Sequence, residues 1–139
     1  MKILLLNGPN LDRLGVRQPE IYGTTTLAEI VAELEEMAEG AGGELSALQS
    51  SEVTALIRAI EETDADAIII NPASLTHHSG ALRDALARFD GPIIEVHISN
   101  IAMREPYRRH SMIAGVATGS IVGLGVGGYR LAMQSLLGR

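Results

Sequence analysis

Tyr22 is the first side chain in this sequence whose neighbours could give it a chemical use. It stands in Arg17-Gln18-Pro19-Glu20-Ile21-Tyr22-Gly23, with Arg13 shortly before it. A phenol ionises near pH ~10, so service as a base at pH 7 needs roughly 4 kcal/mol of help for the phenolate. One or two guanidinium groups in a partly dry site can supply that. Capping a hydrophobic cluster is the other use open to the same residue. Glu95 and His97 lie two apart in an apolar run, so on a strand they share a face. A carboxylate beside an imidazole favours the protonated ring and fixes its orientation, which suits a general acid. A structural ion pair near the sheet edge is equally open.

His77-His78, with Glu95 and His97 elsewhere, invites a metal reading. Adjacent residues at a turn diverge, and the pair lacks the i, i+4 spacing of helical zinc ligands. A hydrogen bond from one histidine to a ligand, with the other at a helix start or the surface, is the alternative, and no metal is expected. Arg104, Arg108 and Arg109 form either a solvated cationic loop or a device for capturing an anionic or polyhydroxylated substrate. Gly123-Leu124-Gly125-Val126-Gly127-Gly128 matches a dinucleotide fingerprint. Too little chain follows it for a second strand and an acidic ribose ligand, so the glycines are expected to permit close helix–sheet packing instead.

These groups must be positioned by the elements around them. Ala67 to Ile70 is a run with no polar face, the mark of a strand buried on both sides. It breaks at Asn71-Pro72 and is followed by Ser74, Thr76, His77, His78 and Ser79. Lys2 to Leu6 and Ile93 to Ile98 read as further buried strands. Glu44 to Leu48 reads as a polar edge strand, and Val116 to Leu124 as a fifth. Between them lie a helix opening on the capping box Thr26-x-x-Glu29, a second capped by Ser51, a third over Gly80 to Phe89 and a last over Gly128 to Leu137. Asn7 to Gly23 and Ser99 to His110 are long connections without periodicity, the kind that forms lids or binding loops. Alternating β and α with two-sided apolar strands implies an α/β doubly wound five-stranded parallel sheet in the flavodoxin-like order 2-1-3-4-5. Its switch point brings Asn7–Gly23, Asn71–Ser79 and the end of the fourth strand to one edge.

The 139 residues read as one domain, 1–139, with an aliphatic core, since aromatic residues make up only 3%. A net charge of −6 argues against a nucleic-acid partner. The absence of cysteine removes disulfides and thiolate metal sites. The apolar start, Met1 to Leu6, ends too early for a signal peptide. Ser111 to Tyr129 is uncharged but rich in glycine and hydroxyl side chains, so no membrane span is expected and a cytoplasmic protein is. A catalyst and a non-catalytic binder of a small polyol or phosphate would both fit such an edge.

Several motifs together resemble type II 3-dehydroquinate dehydratase along nearly the whole chain. They are Asn7-Gly8-Pro9-Asn10-Leu11, Arg17-x-Pro19-x-x-Tyr22-Gly23, Asn71-Pro72 with Thr76-His77-x-Ser79, and Ala81-Leu82-Arg83-Asp84-Ala85. Glu95-Val96-His97-Ile98-Ser99-Asn100, Arg104-Glu105-Pro106-Tyr107-Arg108 and Gly123-Leu124-Gly125 with Gly128-Tyr129 complete the set. The resemblance implies dehydration of 3-dehydroquinate to 3-dehydroshikimate in the shikimate pathway, through an enolate and without metal or cofactor. It implies Tyr22 as base, Arg17 as its electrostatic support, Asn10 as holder of the enolate-stabilising water, and His97 as acid supported by Glu95. Asn71, His77, Arg108 and the Ile98–Ser99 backbone would bind substrate, with Asp84 reaching in from a neighbour in a homo-oligomer, a dodecamer of four trimers. Gln18, His78, Ala102-Met103 and Ser51-Glu52-Val53-Thr54 depart from the family's usual residues.

Overall fold

A computed structural model describes residues 1–139. Five strands, β1 (Lys2–Asn7), β2 (Glu44–Gln49), β3 (Ala67–Asn71), β4 (Ile93–His97) and β5 (Gly119–Val122), form one sheet in the order β2-β1-β3-β4-β5. Every neighbouring pair is parallel, as the alternating pattern requires. The register pairs Asn7 with Asn71, so two amide side chains end adjacent central strands at the same height.

Period-two alternation divides the core into two layers. Ile3, Leu5, Ile69, Ile94 and Val96 pack against α2 (Leu27–Gly40) and α5 (Gly127–Leu137). Leu4, Leu6, Ile68, Ile70 and Ile93 pack against α3 (Val53–Glu62) and α4 (Gly80–Ala87). Each fully buried aliphatic side chain contributes about 1.5–3 kcal/mol, and the core needs no aromatic filler apart from Tyr129. Thr26 and Glu29 form the expected capping box, the Thr26 oxygen accepting from the Glu29 N–H at 3.2 Å.

Two expectations shift by a few residues. Ser51 does not cap α3: Glu52 precedes the helix with no side-chain cap, and Ser50 Oγ accepts from the Glu52 N–H at 3.0 Å. A hydroxyl turn at Ser50 shapes the approach to the helix without capping it. β5 is shorter than the apolar run, because the N–H groups of Val116 and Ala117 turn back to the Ile113 carbonyl. At its other end Gly123 adopts φ +85°, and a Cβ there would lie 3.0 Å from the Asn100 side chain. Gly128 shows the close packing expected of the glycine run, since an added Cβ would meet Val96 at 3.3 Å and Ile121 at 3.4 Å.

At the amino edge of the sheet, Lys2 ties several segments together. Its N–H donates to Asp66, its carbonyl accepts from the Asp66 N–H, and its ammonium bonds Asp64 at 2.6 Å with Glu44 beyond. No helix is long and apolar enough to cross a membrane.

Candidate active site

The carboxyl ends of β1, β3 and β4 open into a cleft of about 370 Å³. The long connection after β1 supplies one wall, folded into a 3-10 turn (Leu11–Arg13) and a single helical turn, α1 (Pro19–Tyr22). Neither shows a period in the sequence because each is too short to complete one. Left-handed backbone at Asn10 (φ 69°) and Gln18 (φ 47°) starts them, and Pro19 occupies the first helical position. The connections after β3 and β4 form the remaining walls through 3-10 turns at Ala73–His77, Ile101–Met103 and Pro106–Arg108.

Asn10, Arg17, Tyr22, Asn71, His77, His97, Ile98, Ser99 and Arg108 all line this cleft, and Glu95 stands directly behind His97. Asp84 does not line it. It lies on α4 with its side chain 67% exposed, paired with Arg83. Within one chain, therefore, every candidate but Asp84 converges.

Arg104 donates from Nη1 to the Tyr22 hydroxyl at 3.1 Å. Arg17 lines the same wall but makes no hydrogen bond to that hydroxyl, so the guanidinium in contact with the phenol comes from the other long loop. Arg109 holds that loop in shape, its Nε donating to the Arg104 carbonyl at 2.7 Å. A cationic donor on a phenolic oxygen stabilises negative charge there.

Glu95 and His97 share a face as expected, with Nε2 of the ring 2.5 Å from Glu95 Oε2. Both are buried, Glu95 to 1% exposure. Burial pushes the Glu95 carboxyl up, but bonds from His97, Thr76 and Ser111 together outweigh it and hold the group below the ordinary carboxylate range. The acceptor is a carboxylate, so the His97 nitrogen it meets must carry the hydrogen. The other ring nitrogen, Nδ1, makes no hydrogen bond. No buried side-chain nitrogen or oxygen lacks a partner, so Nδ1 is the atom open to the cleft.

Asn71 is fixed from behind. Its amide nitrogen donates to the Tyr129 hydroxyl at 2.8 Å, and its oxygen accepts from the Ala73 N–H at 3.1 Å. Tyr129 in turn donates to Asn7 Oδ1 at 2.6 Å, closing a buried chain across the ends of β1 and β3. Ala73 adopts φ +52°, a left-handed conformation that the Asn71 bond helps to hold. His77 Nδ1 lies 2.8 Å from the His110 carbonyl, so that nitrogen carries the hydrogen and Nε2 is left to accept. Tyr107 meets His77 edge-on, and the Arg108 guanidinium lies 5.0 Å from its ring centre. His78 ends the 3-10 turn, exposed at the rim. No three His, Asp or Glu side chains converge as a metal would require.

Arg13, Arg17, Arg104 and Arg108 line the cleft, and no carboxylate does. In a chain of net charge −6 this concentrates positive potential where a small anion would enter. In the sequence Thr76, Tyr107 and Tyr129 fall within the motifs but carry no assigned role, and Ser111 is not among the candidates. Tyr129 carried a usable signal, a lone tyrosine in a glycine-rich apolar stretch whose hydroxyl would need a buried partner. Thr76 stood out only as one member of the polar cluster after β3, and Ser111 carried no signal, since small hydroxyls in loops are common.

The family model described as Dehydroquinase class II matches residues 1–137. The chain is 54% identical over 139 residues to a 3-dehydroquinate dehydratase of Anoxybacillus flavithermus, covering 99% of this chain and 94% of that protein. It is 56% identical over 140 residues to one of Roseiflexus castenholzii, covering 99% and 89%. The crystal structure of a type II dehydroquinase from Butyrivibrio crossotus superposes with a TM-score of 0.94 at 41% identity, covering 100% of this chain and 98% of that one. With the family model matched over residues 1–137 and such relatives over 99% of its length, the chain belongs to the class II dehydroquinases.

Proposed function

We propose that this chain, acting as a single catalytic domain, dehydrates 3-dehydroquinate to 3-dehydroshikimate in the shikimate pathway, through an enolate and without metal or cofactor. Tyr22 takes the proton next to the ketone, with Arg104 and Arg17 stabilising its phenolate. A water held by Asn10 steadies the enolate oxygen. His97, backed by Glu95, delivers a proton to the β-hydroxyl so that it departs as water while the enolate electrons close the new double bond. Asn71, His77, Arg108 and the Ile98–Ser99 backbone hold the ring and its carboxylate. The observation that carries this reading is the convergence of a guanidinium-bonded phenol and a carboxylate-bonded imidazole on one cleft lined by four arginines and no acid. A hydroxy-ketone bearing a carboxylate is a substrate such a cleft can both attract and polarise.

The test is direct. Purified protein given 3-dehydroquinate should produce a conjugated enone absorbing in the near ultraviolet, at a rate unaffected by EDTA. Tyr22→Phe should lose almost all kcat, and His97→Ala should lose the later proton donation. Absence of the enone at high protein concentration, or full activity in Tyr22→Phe, refutes the assignment.

The same reading assigns Asp84 to a neighbour's site in a homo-oligomer, a dodecamer of trimers, in the cytoplasm. Its support is that Asp84 is exposed on α4 and outside its own cleft. A sedimentation experiment finding a fully active monomer would defeat the shared site.

A further inference from the structure

We propose that Thr76 and Ser111 are positioning residues for the proposed acid: two hydroxyls from different loops that hold the Glu95 carboxylate in place so that His97 keeps Nε2–H inward and Nδ1 toward the substrate. This rests on the reading of His97 as the proton donor.

Glu95 Oε2 receives Thr76 Oγ1 at 2.6 Å and Ser111 Oγ at 2.7 Å, besides the imidazole. The two hydroxyls also touch each other, 2.6 Å apart. Ser120 on β5 lies 3.4 Å from the other carboxylate oxygen, a weaker contact. Ser111 Oγ accepts from the N–H groups of Ile113 at 3.2 Å and Ala114 at 3.1 Å, so its own hydrogen is left for the carboxylate or for Thr76. The backbone locks the two donors together, with the Met112 N–H bonded to the Thr76 carbonyl at 2.7 Å. Both sites lie outside the cleft lining, so neither hydroxyl is placed to touch substrate.

The consequence for proton transfer follows from the ring's asymmetry. A charged imidazole can give its cleft-side proton only if the buried nitrogen retains its own. In that step the Nδ1–H bond breaks, an O–H bond forms on the leaving hydroxyl, and the C–O bond breaks as the enolate pair becomes the double bond. Afterwards the neutral ring must keep Nε2–H, because a hydrogen moved to Nδ1 blocks return of the solvent proton to the correct site. An anchored carboxylate enforces that tautomer; a loosened one does not.

The experiment compares Ser111→Ala and Thr76→Val with Ser111→Thr and Thr76→Ser, which keep the hydroxyl. Two readouts are taken: steady-state kinetics on 3-dehydroquinate, and long-range 15N–1H spectra of the His97 ring, assigned by loss of its signals in His97→Gln. The hydroxyl-free variants should lose about tenfold in kcat with KM within twofold, as expected for loss of one bond to a charged group. Their neutral His97 should show a mixture of tautomers in place of Nε2–H alone. The hydroxyl-retaining variants should restore both. Should Thr76→Val fail to fold, the half-buried Ser111 still decides the matter. Unchanged kcat and tautomer in Ser111→Ala overturns the proposal. So does a loss of kcat with the tautomer intact and no rescue by Ser111→Thr, which would mark packing alone. If the unaltered protein does not dehydrate 3-dehydroquinate, the functional reading fails, and the ring spectra still decide whether the hydroxyls set the tautomer.

Discussion

Replacing Tyr129 by phenylalanine removes one oxygen and nothing else, yet that oxygen joins three elements. It donates to Asn7 at the end of β1 and accepts from Asn71 at the end of β3, and all three side chains are buried. Burial pushes the Tyr129 hydroxyl well above the usual phenol range, with the Asn71 bond only partly opposing it, so it remains a neutral donor at every working pH. Without it, Asn7 Oδ1 loses its donor and Asn71 Nδ2 loses its acceptor, on two side chains that are both buried. Stranding a buried neutral polar group costs about 1–3 kcal/mol, so the pair of losses comes to about 2–6 kcal/mol. For a chain of this size that is a fall in Tm of roughly 7–20 °C. Asn71 also loses the bond that aims its amide, and KM for 3-dehydroquinate should rise about tenfold, the equivalent of one misdirected hydrogen bond. Urea denaturation monitored by circular dichroism gives the first number and initial rates give the second. The stability loss should be the same from pH 6 to pH 9. A loss below about 0.5 kcal/mol with KM within twofold would refute the claim that this hydroxyl organises the site.

Three other outcomes are expected. Gly8→Ala drives a Cβ to within 2.5 Å of the Pro72 carbonyl oxygen, just past the ends of β1 and β3, and should cost about 2 kcal/mol or more in denaturant and most of the activity. Arg104→Ala removes the guanidinium from the Tyr22 hydroxyl and should lower kcat by about a hundredfold, with a smaller change in KM, in the enone assay. Glu95, held below the ordinary carboxylate range in the fold, adds stability that is full above its unfolded value near pH ~4.3 and disappears as pH falls through the lower folded value. Denaturation midpoints measured from pH 2 to 5 should therefore fall more steeply for the natural chain than for Glu95→Gln; equal slopes would count against the ionised carboxylate.

The sheet was readable because its strands are long apolar runs in an alternating chain, and two-sided burial leaves few topologies. Ala67–Asn71, buried along its whole length, could only be central. Most of the cleft was readable for the same reason: in a doubly wound sheet the ends of β1, β3 and β4 have one edge to share. The partner of Tyr22 was not. Arg17 is near in sequence, whereas Arg104 reaches the phenol across 82 residues through two irregular loops, and no local pattern encodes that approach. The starts of β5 and of α3 were missed by a few residues because Ile113 and Ser50 made turn bonds that hydropathy does not register. Thr76 and Ser111 were invisible singly; their meaning lies only in meeting at Glu95.

The fastening around Lys2 sits at the opposite end of the strands from every group assigned a chemical part. Wear and repair can thus be separated in this architecture. Substitutions that tighten or loosen the contacts near Asp64 and Asp66 change how long the layered sheet endures, while the rim at the other end keeps its working shape. A lineage, or an engineer, could tune heat tolerance from below and leave the workshop on top undisturbed.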